Sequence, residues 1–329
     1  MPELHGVVAY ASTFLVMVLI SGIACLGLNL QWGQTGLFNV GVAGFVSIGA
    51  YTSALVTSAS VDGRWGGYGA PIAVGWLAAM AVAGIASALV GAATLRLRSD
   101  YLAITTFGVA VVVELVARNA TILTGGTLGI SFIPRPFGTL ADRPTLFAVL
   151  LLILVAVLVA GVFIGLERLV RSPWGRVLRA IREDERAVAS LGKNATRYRL
   201  QAFTIGGALM GLAGALEAHV IGFISPENFQ SSLTFQVWAM LIVGGSGNNL
   251  GALAGALLVS TIWSGSGIAT GMFFPPEEQA RAAALRIVAI GVLLSATIVW
   301  RPRGLIGERT TVSRHVLGRS APRGDPADP

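Results

Sequence analysis

The chain has 329 residues, 54% of them hydrophobic and only 12% charged, against about 25% charged in an ordinary soluble domain. This excludes a typical soluble globular protein and points to an all-α, polytopic membrane protein. The formal net charge of +7 does not imply nucleic acid, because the positive residues gather in a few inter-helix segments instead of covering a face with interleaved aromatics.

Apolar runs at about 7–30, 36–59, 71–95, 101–119, 146–166, 201–224, 233–245, 249–268 and 284–300 predict nine transmembrane helices, with eight to ten as the range. The first run follows MPELHG, which lacks Lys and Arg, and no small-residue cleavage pattern follows it, so it is read as a retained span. Cys25, the single cysteine, offers no disulfide or cysteine metal cluster and reads as a buried apolar thiol. The second run is interrupted by Gly36, Gly41, Gly44 and Gly49, and the seventh is short. One or two helices are therefore expected to be tilted, split or re-entrant.

Arg96 and Arg98 precede the fourth run, nine Arg or Lys residues lie in 167–199, and Arg301 and Arg303 follow the last run. The positive-inside rule places all three segments in the cytoplasm, and counting back three spans puts the N-terminus outside. Residues 1–307 are read as one transmembrane domain, and the Arg- and Pro-rich tail 308–329 as a disordered cytoplasmic segment.

Of 39 charged residues, 13 fall in 167–199, which makes that loop a distinct element. Ser172 offers an N-cap with Pro173 at the first helical position, and Gly192 and Asn194 a stop. Val177, Ile181, Val188 and Leu191 recur at helical spacing, so one or two short amphipathic helices are expected, with a rigid stretch over 176–191. Composition leaves three roles open: a topogenic loop, a lipid-headgroup site, or a docking helix, the last favoured by Glu183, Asp184 and Glu185 set among arginines.

No catalytic constellation is visible. His5, His219 and His315 are too scattered for a zinc set. Lys193 follows Gly192, but Ala187 and Asn194 stand where a phosphate-binding loop needs Gly and Ser or Thr, so the chain does not bind ATP by that motif. Within the spans, Glu114 and Arg118 are four apart and read as a structural pair or a gating element. Glu217 has no charged partner at helical spacing and lies toward the outer end of its span, in reach of water. Asn29, Gln34 and Asn39 in the early Gly-rich segment, and Asn248 and Asn249 in the late one, are candidates for a translocation path. The glycine spacings around 33–44 and 244–255 are similar enough to suggest a broken helix in each half, or close helix packing.

The stretch GRVLRAIREDERAVASLGKNATRYRLQAFTIGGALMGLAGAL resembles the cytoplasmic loop and following span of branched-chain amino acid ATP-binding-cassette (ABC) permeases of the LivM-like family. LGLNLQWGQTGLFNVGVAGFVSIGAYTSAL, RLRSDYLAITTFG, TGGTLGI, FISPENF, VGGSGNNLGALAGALL and PRGLIG are similar to further segments of that family, in order over nearly all of 25–307. The resemblance implies a permease subunit that is not itself an enzyme. It implies a second, LivH-like permease, two ATPase subunits that use ATP and Mg, and a periplasmic or lipid-anchored substrate-binding protein, in a bacterial inner or cytoplasmic membrane. It makes the charged loop the coupling element, with Arg179, Arg182, Glu183, Asp184, Ala187 and Gly192 as its candidate residues. The general coupling signature is matched only at Ala187 and Gly192, with Arg186 and Val188 departing from it. A branched-chain or similarly apolar amino acid is the expected cargo; urea, amides or aromatic acids on the same permease class are the near alternative. An ion-coupled transporter should carry more mid-membrane charge, and a membrane enzyme a clustered His, Asp or Cys set.

Overall fold

A computed structural model describes residues 2–308 apart from Asp62, Arg98, Ala141, Phe274, Pro276, Glu277 and Pro302. The tail 309–329, including His315, lies outside the described residues. In chain order the helices are α1 (Pro2–Leu28), α2 (Val42–Thr57), α3 (Ile72–Thr94), α4 (Ser99–Asn119), the single turn α5 (Thr121–Thr124), α6 (Pro144–Arg171), α7 (Pro173–Glu183), α8 (Glu185–Ser190), α9 (Ala195–Ile221), α10 (Ser231–Gly244), α11 (Asn249–Phe273) and α12 (Gln279–Trp300). Six of these, α1, α3, α4, α6, α9 and α11, are long and apolar enough to cross a bilayer. With the shorter apolar α2 and α10 and the 22-residue α12, they coincide with the nine apolar runs.

The two irregular runs are the two short helices. At 16 and 14 residues, α2 and α10 reach only about 24 and 21 Å at 1.5 Å per residue, short of a hydrocarbon core of about 30 Å. The remaining depth beside α2 is made up by irregular chain. α1 continues into a π-helical turn, Asn29–Gly33, and residues 34–41 are non-helical.

Helices α1 and α9 form the centre of the bundle: 61% and 67% of their apolar windows are buried, against 22–28% for α3, α4, α6 and α11. Small residues let α9 sit in the middle. A Cβ at Gly49 of α2 would run into the backbone of Gly211, and one at Gly214 into the Val46 carbonyl, so α2 and α9 touch backbone to backbone. The peripheral helices present Leu77, Ile85, Leu89, Ile104, Val112 and Val157 outward. In water such a surface would drive association; in lipid it is the expected exterior.

Motifs distant in sequence meet at the two ends of the bundle. At one end, β1 (Ile130–Ser131) pairs antiparallel with β2 (Phe223–Ile224), joining TGGTLGI to FISPENF. At the other, Leu305 N–H donates to Val243 O at 2.9 Å and Ile306 N–H to Gly244 O at 3.0 Å, joining PRGLIG to the late Gly-rich segment. The three basic segments converge on this second end. Arg96 shares a cleft with Glu185 and Arg199, and Arg182 bridges to Glu308 at 2.8 Å.

The charged loop differs from expectation in four details. The rigid stretch expected over 176–191 is two helices, because Asp184 leaves the helical conformation and its carboxylate accepts the N–H groups of Arg186 at 2.8 Å and Ala187 at 3.1 Å, starting α8. Leu191 is 79% exposed; the buried face is Leu178, Ile181 and Val188, with Val177 half-buried. Ser172 occupies the N-cap position before Pro173, but its hydroxyl donates back to Leu169 O instead of capping α7. Gly192 does stop α8, at φ +75° with open space around it, whereas Asn194 begins α9 by accepting the Arg197 N–H at 3.0 Å.

Candidate functional site

The break between α1 and α2 places unpaired backbone inside the bundle, where every N–H and C=O needs a protein partner. Polar side chains supply many of them. The Val40 N–H donates to Thr106 Oγ1 and the Ala43 N–H to Thr234 Oγ1, both at 3.0 Å. Trp238 Nε1 donates to Asn39 O at 2.9 Å, and Thr35 Oγ1 to Leu30 O at 3.0 Å. Asn39 accepts the Gly41 N–H with Oδ1 and donates through Nδ2 to Gln31 Oε1 at 2.7 Å. Gln31 in turn donates to Phe203 O at 2.8 Å on α9.

The two Gly-rich segments meet face to face. Gly33 lies so close to Gly247 that a Cβ on it would strike the Gly247 backbone; of the alternatives raised by the glycine spacing, close packing is present, whereas the early segment is interrupted over 34–41 and the late one is the turn between α10 and α11 instead of a broken helix. Asn29, fully buried, accepts the Gly247 N–H at 2.8 Å and donates to Asn249 Oδ1 at 2.9 Å. Gln34 donates to Gly247 O at 2.8 Å. Asn249 Nδ2 reaches Glu167 Oε2 at 2.9 Å, and Arg171 holds the other carboxylate oxygen. Asn248 donates to Gly307 O at 3.1 Å. Of the five amides expected along a path, four therefore gather in one junction, and Asn39 stands apart with Gln31.

Helix α7 is fastened to this junction. Arg182 donates to the Gly33 carbonyl through Nη1 and to both oxygens of Glu308 through Nη2, at 2.8 and 3.0 Å. Arg179 donates to Gln34 Oε1 and to Val170 O, each at 3.2 Å. A cleft of about 480 Å³ opens beside these contacts, lined by Gln34, Glu167, Arg171, Arg179, Asn249 and Glu308. Glu183, Asp184 and Ala187 lie on the exposed side of α7–α8. Among the described residues no group of His, Cys, Asp and Glu could hold a metal. The site combines an exposed mixed-charge surface, a buried apolar stripe, and two arginines, of which Arg182 holds the interrupted backbone at Gly33 and Arg179 the side chain of Gln34.

A family model described as branched-chain amino acid transport system, permease component, matches residues 10–298. The chain belongs to this permease family. The permease is 34% identical over 316 residues to the high-affinity branched-chain amino acid transport system permease protein LivM of Salmonella typhimurium, covering 88% of this chain and 68% of the relative. It is 32% identical over 328 residues to LivM of Escherichia coli, covering 92% and 70%. It is 27% identical over 335 residues to the probable LivM of Methanocaldococcus jannaschii, covering 88% and 91%. No solved structure matches the chain.

Glu114 and Arg118 of the permease form an ion pair at 2.9 Å, with side chains 18% and 32% exposed. Arg118, one residue from the end of α4, can reach the interface if released, whereas Glu114 cannot. Arg118→Ala should therefore lower the yield of assembled protein more than Glu114→Ala, and exchanging the two residues should recover part of it. Gel filtration of solubilised protein measures the yield. Two singly substituted proteins that assemble fully yet transport poorly would make the pair a gating element.

Several residues of the junction escaped notice in the sequence. Gln31, Thr106, Thr234 and Trp238 satisfy the broken segment, and Glu167 and Glu308 close the arginine contacts. Their common signal is a lone polar group, within or bordering an apolar run, that a continuous helix would leave unpaired.

Proposed function

We propose that this permease is one of two membrane subunits of an ABC importer that passes branched-chain or similarly apolar amino acids inward. The observation that supports this reading is the attachment of α7–α8 to the interrupted segment through Arg182 and Arg179. An ATPase seated on the exposed charges of α7–α8 would move α7 as a unit, and α7 cannot move without pulling the carbonyl of Gly33 and the side chain of Gln34. The break between α1 and α2, held by side chains instead of continuous helix, is the element that can respond.

The end where the basic segments converge faces the cytoplasm, and the N-terminal end of α1 the outside. A second permease completes the path, two ATPase subunits carry ATP and Mg, and a substrate-binding protein delivers cargo from outside. The chain itself binds no nucleotide. Reconstituted with these partners, the complex should take up leucine only with ATP hydrolysis; uptake driven by an ion gradient without ATP would defeat the proposal and favour a secondary transporter.

The exposed face supplies a sharper test. Reversing Glu183→Lys together with Arg186→Glu preserves the net charge but breaks complementarity with one specific surface. Both residues are exposed, so the doubly reversed protein should insert normally while retaining several-fold less ATPase subunit on affinity purification. Unchanged retention would return the loop to a topogenic role.

A further inference from the structure

The other end of the bundle holds a groove of about 470 Å³ between α1, α9, α10 and α11, within the range of small-ligand sites. Glu217 of α9 lines it. Three carboxylates at the other end of the bundle are paired, Glu167 with Arg171, Glu185 with Arg199 and Glu308 with Arg182, while Glu183 and Asp184 there are exposed to solvent. Glu114 has Arg118. Among the described residues Glu217 has neither ion-pair nor hydrogen-bond partner. His219 does not serve it, since its Nδ1 donates to Pro134 O at 2.7 Å and its Nε2 accepts from Ser53 Oγ at 2.8 Å. A lone charge costs about 2.5–3.5 kcal/mol at the centre of a membrane span on insertion scales, less toward the end where Glu217 lies, and calls for a compensating group.

We propose that this groove is the outward-facing cargo site of the permease, with Glu217 receiving the ammonium group of a zwitterionic amino acid. The proposal rests on the import reading above. Ser21, Ser232, Asn228 and Gln236 line the same groove and supply donors for the cargo's carboxylate, while Phe14, Met17 and Leu233 form an apolar wall for its side chain. Positions along the helices give the groove a direction. Tyr10 and Ser264, joined at 3.2 Å, lie toward the outer ends of α1 and α11, and Ser21 and Gln236 lie deeper. Within the transmembrane region the site therefore brings together a charge of one sign, hydroxyl and amide donors, and an aliphatic surface, the three chemistries of an apolar amino acid.

Cys25 is the chain's single cysteine, so Cys25→Ala together with cysteine-free partner subunits provides a thiol-free background for labelling. In the reconstituted complex, Ser232→Cys in that background should react from outside with a cationic ethylammonium methanethiosulfonate about tenfold faster than with the anionic ethylsulfonate reagent. Adding Glu217→Gln should bring the two rates together. Leucine uptake by the Glu217→Gln complex should fall at least about tenfold, as expected for loss of one charged hydrogen bond, with Glu217→Asp retaining more. A thiol at 232 that reacts with neither reagent, a charge preference that survives Glu217→Gln, or unchanged uptake by an assembled Glu217→Gln complex overturns the site. The labelling ratio is read without transport, so a complex that imports no branched-chain amino acid would defeat the functional reading while the groove is still judged on its own.

Discussion

Replacing Arg182 by alanine should uncouple the permease: leucine uptake should fall by about 10- to 100-fold while the complex still assembles. Arg182 ties α7 to both the π-turn carbonyl of Gly33 and the Glu308 carboxylate. Hydrogen bonds to charged groups contribute about 1.5–3 kcal/mol, and 1.4 kcal/mol is a factor of ten. The Arg182 and Glu308 side chains are 25% and 32% exposed, so solvent screens their ion pair and most of the effect should come from the lost grip on Gly33. Exchanging the charges, Arg182→Glu with Glu308→Arg, separates the two contributions. It restores the pair and not the donor to Gly33, so uptake should recover only slightly. Stimulation of ATP hydrolysis by loaded binding protein should be weak in both. An Arg182→Ala complex that hydrolyses and imports like the unmodified one would remove α7 from the coupling path.

Asn29→Leu should cause the largest loss of assembled protein. Leucine matches asparagine in branching and in number of heavy atoms but is bulkier, so the change leaves no cavity and adds some crowding at this fully buried position. It strands the Gly247 N–H and Asn249 Oδ1, now bonded at 2.8 and 2.9 Å to the fully buried Asn29. Each stranded group costs about 1–3 kcal/mol, a large share of a typical folding stability of about 5–15 kcal/mol. Asn29→Asp keeps an acceptor for Gly247 but turns an anion toward Asn249 Oδ1, and should recover little. The Asn29→Leu, Asn249→Leu double replacement should be less harmful than the sum of the two singles, because both remove one shared bond. Midpoint temperatures of the solubilised protein give the comparison; strictly additive losses would show that the two amides do not act together.

The sequence by itself determined the class of fold, the number of apolar helices, the two irregular ones and the presence of an amphipathic charged loop. Each of these follows from local chemistry. A run long enough to cross a bilayer, glycines that interrupt it, and a cluster of charge flanked by Pro173 and Gly192 are all read over fewer than about 35 neighbouring residues. The spacing of Glu114 and Arg118 likewise needed only one helix, and the pair is there at 2.9 Å.

Only the tertiary structure decided what the polar residues are for. Asn29 meets residues 247 and 249, Arg182 meets 33 and 308, and His219 meets 53 and 134. None of these partnerships has a periodicity that a single sequence can display. The loop's inner face differs from its helical spacing for the same reason. Helical spacing made Leu191 part of the stripe, but Asp184 capped a second helix and changed the phase, leaving Leu191 exposed and Leu178 buried. Nothing at helical spacing pairs with Glu217. Its position in a groove shared by four helices depends on the packing of α1, α10 and α11 against α9, and burial among distant segments is a property of the assembled bundle that local pattern does not contain.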